Sequence, residues 1–317
     1  IRRIWIVGGI ALSAVVQAIV GLLQVWRGRS LGLAWLGEIA LNPEWSGVSV
    51  VMRGQTRWLR AYGLTQHPNL LGGILAGLLL VLIGAYADRI RGGRRDGVWL
   101  LVPYGLGLGV LLMTFSRGAW LGAAVGGLTL LATAWRAGWR RDRRAVHLGA
   151  ALVMLTLVIG AVFVATQWSL LQPRFGFTYQ GAEVRSVDER ATLIAGARAL
   201  RGIRPGLGVG AGNFSTTLYR WAFDAIVAYP IVQPVHNVAL LLLTEVGWPG
   251  PLLWFTLVLG PVVATWIRPV REEAGWLAGL TGVLVALFTL GWYEAYPWRS
   301  QPGALLLALT LGLWARA

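Results

Sequence analysis

The chain has 317 residues, 56% of them hydrophobic and only 13% charged, with a formal net charge of +15 and no cysteine. Soluble domains carry about 25% charged residues, so a water-soluble globular protein is excluded, as are disulfide frameworks, thiolate metal sites and a thiol nucleophile. All 28 basic residues are Arg, a forked donor better matched to phosphate than Lys, and the basic balance fits membrane loops without calling for nucleic acid.

Eight apolar runs read as spanning helices, at 4–26, 69–87, 98–116, 117–135, 145–166, 237–260, 274–291 and 302–315. A span needs about 20 such residues, and the fourth and last are short. The expected fold is therefore an all-α polytopic membrane protein forming a single membrane domain over 1–317. Loops 88–97 (DRIRGGRRDG), 136–144 (RAGWRRDRR) and 268–273 (RPVREE) are short and Arg-rich, the mark of the cytoplasmic side. An even number of spans separates them, so all three share one face with both chain ends. That leaves two long extracytoplasmic segments, 27–68 and 167–236. Half of the arginines fall on this outer face, and loop topology does not account for them.

Within the second segment, SVDERATLIAGARALRGIRPG (186–206) reads as an amphipathic helix. Ser186 and Glu189 match a capping box, and Pro205 with Gly206 supplies the stop. Arg190, Arg198, Arg201 and Arg204 fall at about 0°, 80°, 20° and −40° around the axis. This shared arc is either a solvated or lipid-headgroup face or an anion site. GLGVGAGNF (206–214) follows, and its Gly208 and Gly210 form either a tight turn or a backbone nest for an anion.

Arg117 stands at the outer junction of two apolar runs, either snorkelling to the interface or lining a polar cavity. His147 reads as an interface residue. His67 and His236 enter spans from the outer side, and a neutral imidazole is the natural base near pH 7. Glu245 falls inside the predicted sixth span and reads as packing or gating. The outer face offers few carboxylates: Glu38, Glu44, Glu183, Asp188, Glu189, Asp224 and Glu294. There is no Asp-x-Asp pair, and Asp188–Glu189 is better explained by the cap than by a metal.

RAYGLTQHPNLLGG (60–73), FSRGAWLG (115–122), ERATLIAGARALRGIRPGLGVGAGNF (189–214) and HNVALLLLTEVGWPG (236–250) occur in this order. Together they resemble the O-antigen ligase and polymerase superfamily of polytopic GT-C-type glycosyltransferases, over residues 60 to 260. The resemblance implies an enzyme of the bacterial inner membrane, active on the periplasmic face, without metal or cofactor and with inversion. It implies that a glycan moves from undecaprenyl pyrophosphate to an acceptor hydroxyl on a lipid, a growing glycan or a protein. Ligase, polymerase and protein O-oligosaccharyltransferase are thus alternatives, and the rivals to the enzyme reading are a small-anion transporter and a structural membrane subunit without a reaction. By motif position, Arg117 and Arg190 would hold the pyrophosphate and His236 would assist the acceptor hydroxyl. Arg60 and Asn237 are further binding candidates, and Arg198, Arg201 and Arg204 join them from the helix-face argument alone. Family members carry additional N-terminal spans, which implies that this is the C-terminal part of a longer chain.

Overall fold

The computed structural model describes residues 2–175, 181–224, 233–267 and 274–317. In chain order it contains α1 (Arg3–Arg27), the hairpin strands β1 (Val50–Arg53) and β2 (Thr56–Leu59), α2 (Pro68–Arg91), α3 (Leu101–Met113), α4 (Arg117–Arg136) and α5 (Arg143–Arg174). There follow α6 (Gly181–Ile203), α7 (Phe214–Asp224), α8 (Val238–Glu245), α9 (Pro249–Ile267), α10 (Ala274–Gly291), α11 (Tyr296–Arg299) and α12 (Gln301–Ala315). Among the described residues seven helical segments are long and apolar enough to cross a membrane, and α12 is a shorter apolar helix. The chain is an all-α polytopic membrane protein.

The core is the trio α2, α4 and α10, packed backbone to backbone. A Cβ on Gly84 would lie 2.3 Å from the Gly275 carbonyl oxygen, and one on Gly126 would lie 2.5 Å from that of Gly282. In a bilayer no hydrophobic force drives helices together, so close packing of small residues must hold them. The flank of α5 does the opposite: Met154, Leu157, Val158 and Val162 are exposed. Apolar exposure on this scale marks a surface meant for lipid.

One end of the bundle gathers the basic loops. Both oxygens of Asp88 accept from the first N–H groups of α10, from Gly275 at 2.8 Å and Trp276 at 2.7 Å. Nearby, the Arg3 guanidinium lies over the Trp276 ring and that of Arg91 over Trp139. The predicted basic loop 268–273 lies outside the described residues.

The opposite end carries the long segments. Gln24, fully buried near the end of α1, donates to Glu38 and to the Gly63 carbonyl while its oxygen accepts from Gly63 N–H. Glu38 in turn accepts from the N–H groups of Leu31 and Leu33. These bonds fold the 27–68 segment back onto the bundle, where Val51 of the hairpin packs with Phe115, Phe163, Leu170 and Leu171.

Two expectations need correction. The run 237–260 is not one span: α8 ends at Glu245, and the span is α9, which begins at Pro249. Between them Gly247 has a φ of 79°, and a Cβ there would lie 1.9 Å from the Gly206 carbonyl oxygen. Glu245 therefore precedes the span instead of lying inside it. The capping box is also absent, because α6 already runs from Gly181 and Ser186 sits within it. The predicted helix stop does fall where Pro205 and Gly206 follow Ile203.

Candidate functional site

The site is built around Glu294, in the turn just beyond α10. The neighbouring Leu290 carbonyl accepts the Glu294 N–H, holding the residue against the end of that helix. The carboxylate is 8% exposed, with His236 Nδ1 3.2 Å from Oε2 and an Arg190 guanidinium nitrogen 3.1 Å from Oε1. Asn69 Nδ2 also donates to Oε1, at 2.7 Å. Burial alone would raise the Glu294 pKa, but the hydrogen bond and charge of His236 and the charge of Arg190 outweigh it and hold it below the usual value.

Three separate elements deliver these groups. His236 immediately precedes α8, whose N-cap Asn237 accepts from Leu240 N–H at 2.8 Å. Asn237 also donates to the Trp292 carbonyl, which ties His236 to the Glu294 turn. Arg190 is carried by α6, which buries Leu193, Ala197 and Leu200 against Phe214, Leu218, Leu241 and Ala295. Asn69 opens α2, and Arg60 stands behind it. Buried Arg60 donates to Asn69 Oδ1, Ser49 Oγ and the Thr114 carbonyl, each at 2.6 Å.

His67 is the N-cap of α2, with Pro68 at the first helical position, where its fixed φ and missing N–H suit a helix start. Its Nδ1 accepts from Asn69 N–H at 3.1 Å. The residue keeps contact with solvent although protein groups surround its ring. Burial first, then the positive charge of Arg60, pushes its pKa down to about 4.

An imidazole whose Nδ1 meets an ionised carboxylate carries its proton on Nδ1 and presents Nε2 as an acceptor. Such a group can take a proton from a hydroxyl, and the carboxylate then stabilises the imidazolium. Arg190 leaves 38% of its side chain exposed beside the pair, a guanidinium available to an anion.

The structure brings His236 and Arg190 together and disperses the other arginines. Arg201 lies over the Trp248 ring, 5.3 Å from its centroid; Arg198 is exposed on α6 and Arg204 is exposed just past its end. Arg190 and Arg201 are eleven residues apart, roughly 16 Å of helix, so one shared arc does not converge on one ligand. Arg117 donates to the Arg174 carbonyl at 2.7 Å, bridging the start of α4 and the end of α5. Arg60 is committed to protein acceptors and orients Asn69.

The anion nest expected at Gly208 and Gly210 is not formed. Gly208 N–H donates to the Arg204 carbonyl, Val209 N–H to Thr244 and Gly210 N–H to Glu245. The Glu245 carboxylate accepts from Phe214 N–H at 3.1 Å, so the glycine-rich segment is a packing turn clamped onto α8. Gly208 is required there, with a φ of 69° and a Cβ position 2.5 Å from the Glu245 carbonyl carbon.

Sequence reasoning did not single out Glu294, Asn69 or Arg174. The signal for Glu294 was present, since it is an isolated carboxylate at the outer end of an apolar run. Asn69 and His67 stand together in the HPN triplet.

Residues 102–255 match the family model described as O-antigen ligase. That segment, just under half of the chain, is similar to a family whose members are membrane enzymes of glycosyltransferase type. No curated protein and no solved structure matches the chain. The matched segment contains His236, Arg190 and Arg117, while Glu294, Asn69, His67 and Arg60 lie outside it.

Proposed function

We propose, from that family similarity and the Glu294 cluster together, that the chain transfers a glycan from undecaprenyl pyrophosphate to an acceptor hydroxyl. The observation that carries this reading is the single carboxylate shared by His236 and Arg190. It couples a base to an anion-binding group at the end of the bundle away from the basic loops, which is the extracytoplasmic side if those loops are cytoplasmic.

The acceptor hydroxyl attacks the anomeric carbon from the face opposite the leaving group. Its oxygen forms the new C–O bond, its proton passes to His236 Nε2, and the anomeric C–O bond to phosphate breaks. The pyrophosphate leaves with that electron pair, giving inversion in one displacement. Glu294 stabilises the imidazolium, and Arg190 stabilises the charge growing on the leaving group. Arg117 stands at the same end of the bundle and extends the cationic surface for the diphosphate. Guanidinium groups can supply this stabilisation without a metal. An acceptor on a lipid, a growing glycan or a protein would use the same chemistry.

The test is transfer by purified protein from a lipid-pyrophosphate glycan to candidate acceptors, in EDTA. Transfer is expected in the wild type, with loss in both His236→Ala and Arg190→Ala at normal expression and insertion. Near-normal activity in either variant removes that residue from the mechanism. Solute flux in liposomes without any transfer would support a transporter instead.

A further inference from the structure

We propose that His67 is a second substrate-binding imidazole, which donates its Nε2–H to a phosphoryl oxygen of the lipid-linked pyrophosphate. The inference rests on the glycosyl-transfer reading above and adds a residue to it. Geometry carries it. A backbone N–H can only donate, so the Asn69 N–H bonded to His67 Nδ1 leaves that nitrogen unprotonated. The neutral ring then holds its proton on Nε2, and among the described residues that nitrogen has no protein partner. His67 is exposed to solvent, so the donor edge is open to a ligand.

The two imidazoles of the site are therefore opposites. His236 turns Nδ1–H to Glu294 and offers an acceptor, whereas His67 turns its acceptor to a helix terminus and offers a donor. One hydrogen-bonded chain joins them, from the His67 ring through Asn69 to Glu294 and on to His236. The charged groups acting on His67 are Arg60, Glu294, His236 and Arg174. With Arg190 also on Glu294, cations outnumber the lone carboxylate, which favours an anionic oxygen over a neutral hydroxyl as the ligand.

The experiment measures binding of unglycosylated undecaprenyl pyrophosphate to the detergent-solubilised full chain. Asn and Ser are good helix N-caps, so His67→Asn and His67→Ser keep the cap and delete the distal donor. His67→Gln places an amide N–H near the Nε2 position. Losing a hydrogen bond to a charged group weakens binding by about tenfold or more. We expect that loss in His67→Asn and His67→Ser, with His67→Gln recovering most of it. Wild-type affinity in both cap-competent variants would overturn the proposal and leave His67 a cap. A raised KM for the acceptor alone would also overturn it, assigning the donor edge to the hydroxyl. Absence of binding by the wild type would instead sink the pyrophosphate reading itself, and this inference with it.

Discussion

Glu294 Oε2 lies 3.2 Å from His236 Nδ1, and the same carboxylate takes Arg190 and Asn69 on its other oxygen. Imidazole, guanidinium and amide therefore meet at one side chain. Glu294→Gln keeps the shape and removes the charge that fixes the His236 tautomer. We expect kcat to fall by about 100-fold, the low end for a lost acid–base contribution, with KM for the lipid donor rising less. Steady-state transfer kinetics check this, and an unchanged kcat would detach Glu294 from catalysis.

The arginines of α6 should separate by position. Arg190→Ala is expected to abolish transfer, because it removes the guanidinium from the shared carboxylate and leaves it only His236 and Asn69. Arg201→Ala, which removes only a guanidinium resting on Trp248, is expected to leave activity within about threefold, as such exposed stacking is worth about 0.5–1 kcal/mol. Comparable losses in both would restore the idea of a continuous cationic stripe.

Glu245 offers a test of packing against chemistry. Its carboxylate caps Phe214 N–H in a buried setting, and a glutamine oxygen can accept the same bond. Glu245→Gln should transfer at near-normal rates. Glu245→Ala should lower thermal stability, since leaving a buried N–H unpaired costs about 1–3 kcal/mol. Melting in detergent beside the transfer assay separates the two effects.

The depressed pKa of His67 makes stability depend on pH. The unfolded imidazole takes up a proton near its ordinary pKa, about 6.5, while the folded one stays neutral until about pH 4. Between these values the unfolded state binds more protons, so stability falls as pH falls through that window. Glu294, held below its usual value, adds a loss only under more acidic conditions, as its carboxylate is protonated. Melting temperatures from pH 7 to 4 should decline, and His67→Asn should flatten the decline above pH 5.

Gly84→Ala should separate α2 from α10, because its methyl would meet the Gly275 carbonyl oxygen at 2.3 Å. Overpacking of this kind costs about 1–3 kcal/mol. It would also shift Asn69 relative to Glu294, so transfer should fall along with the melting temperature.

The spans were legible because bilayer solvation imposes a length and a polarity that a one-dimensional pattern records. The sixth was misread because α8 and α9 are equally apolar, and their break depends on Gly247 meeting Gly206 across a long loop. His236 and Arg190 could be found from motif order. Their convergence could not, because Glu294 follows His236 only after two spans and has no local motif. An angle alone ignores the rise along α6, which spreads Arg190, Arg198 and Arg201 too far apart for one ligand, and Arg204 lies beyond the end of the helix.

Asp88 and Asn69 lie near opposite ends of α2, and each holds the corresponding end of α10, one at its first turn and the other just past its last. Riveted top and bottom, these two rods cannot slip lengthwise past each other as the surrounding lipid thins or thickens. The half of the candidate site that they carry is thus insulated from bilayer strain.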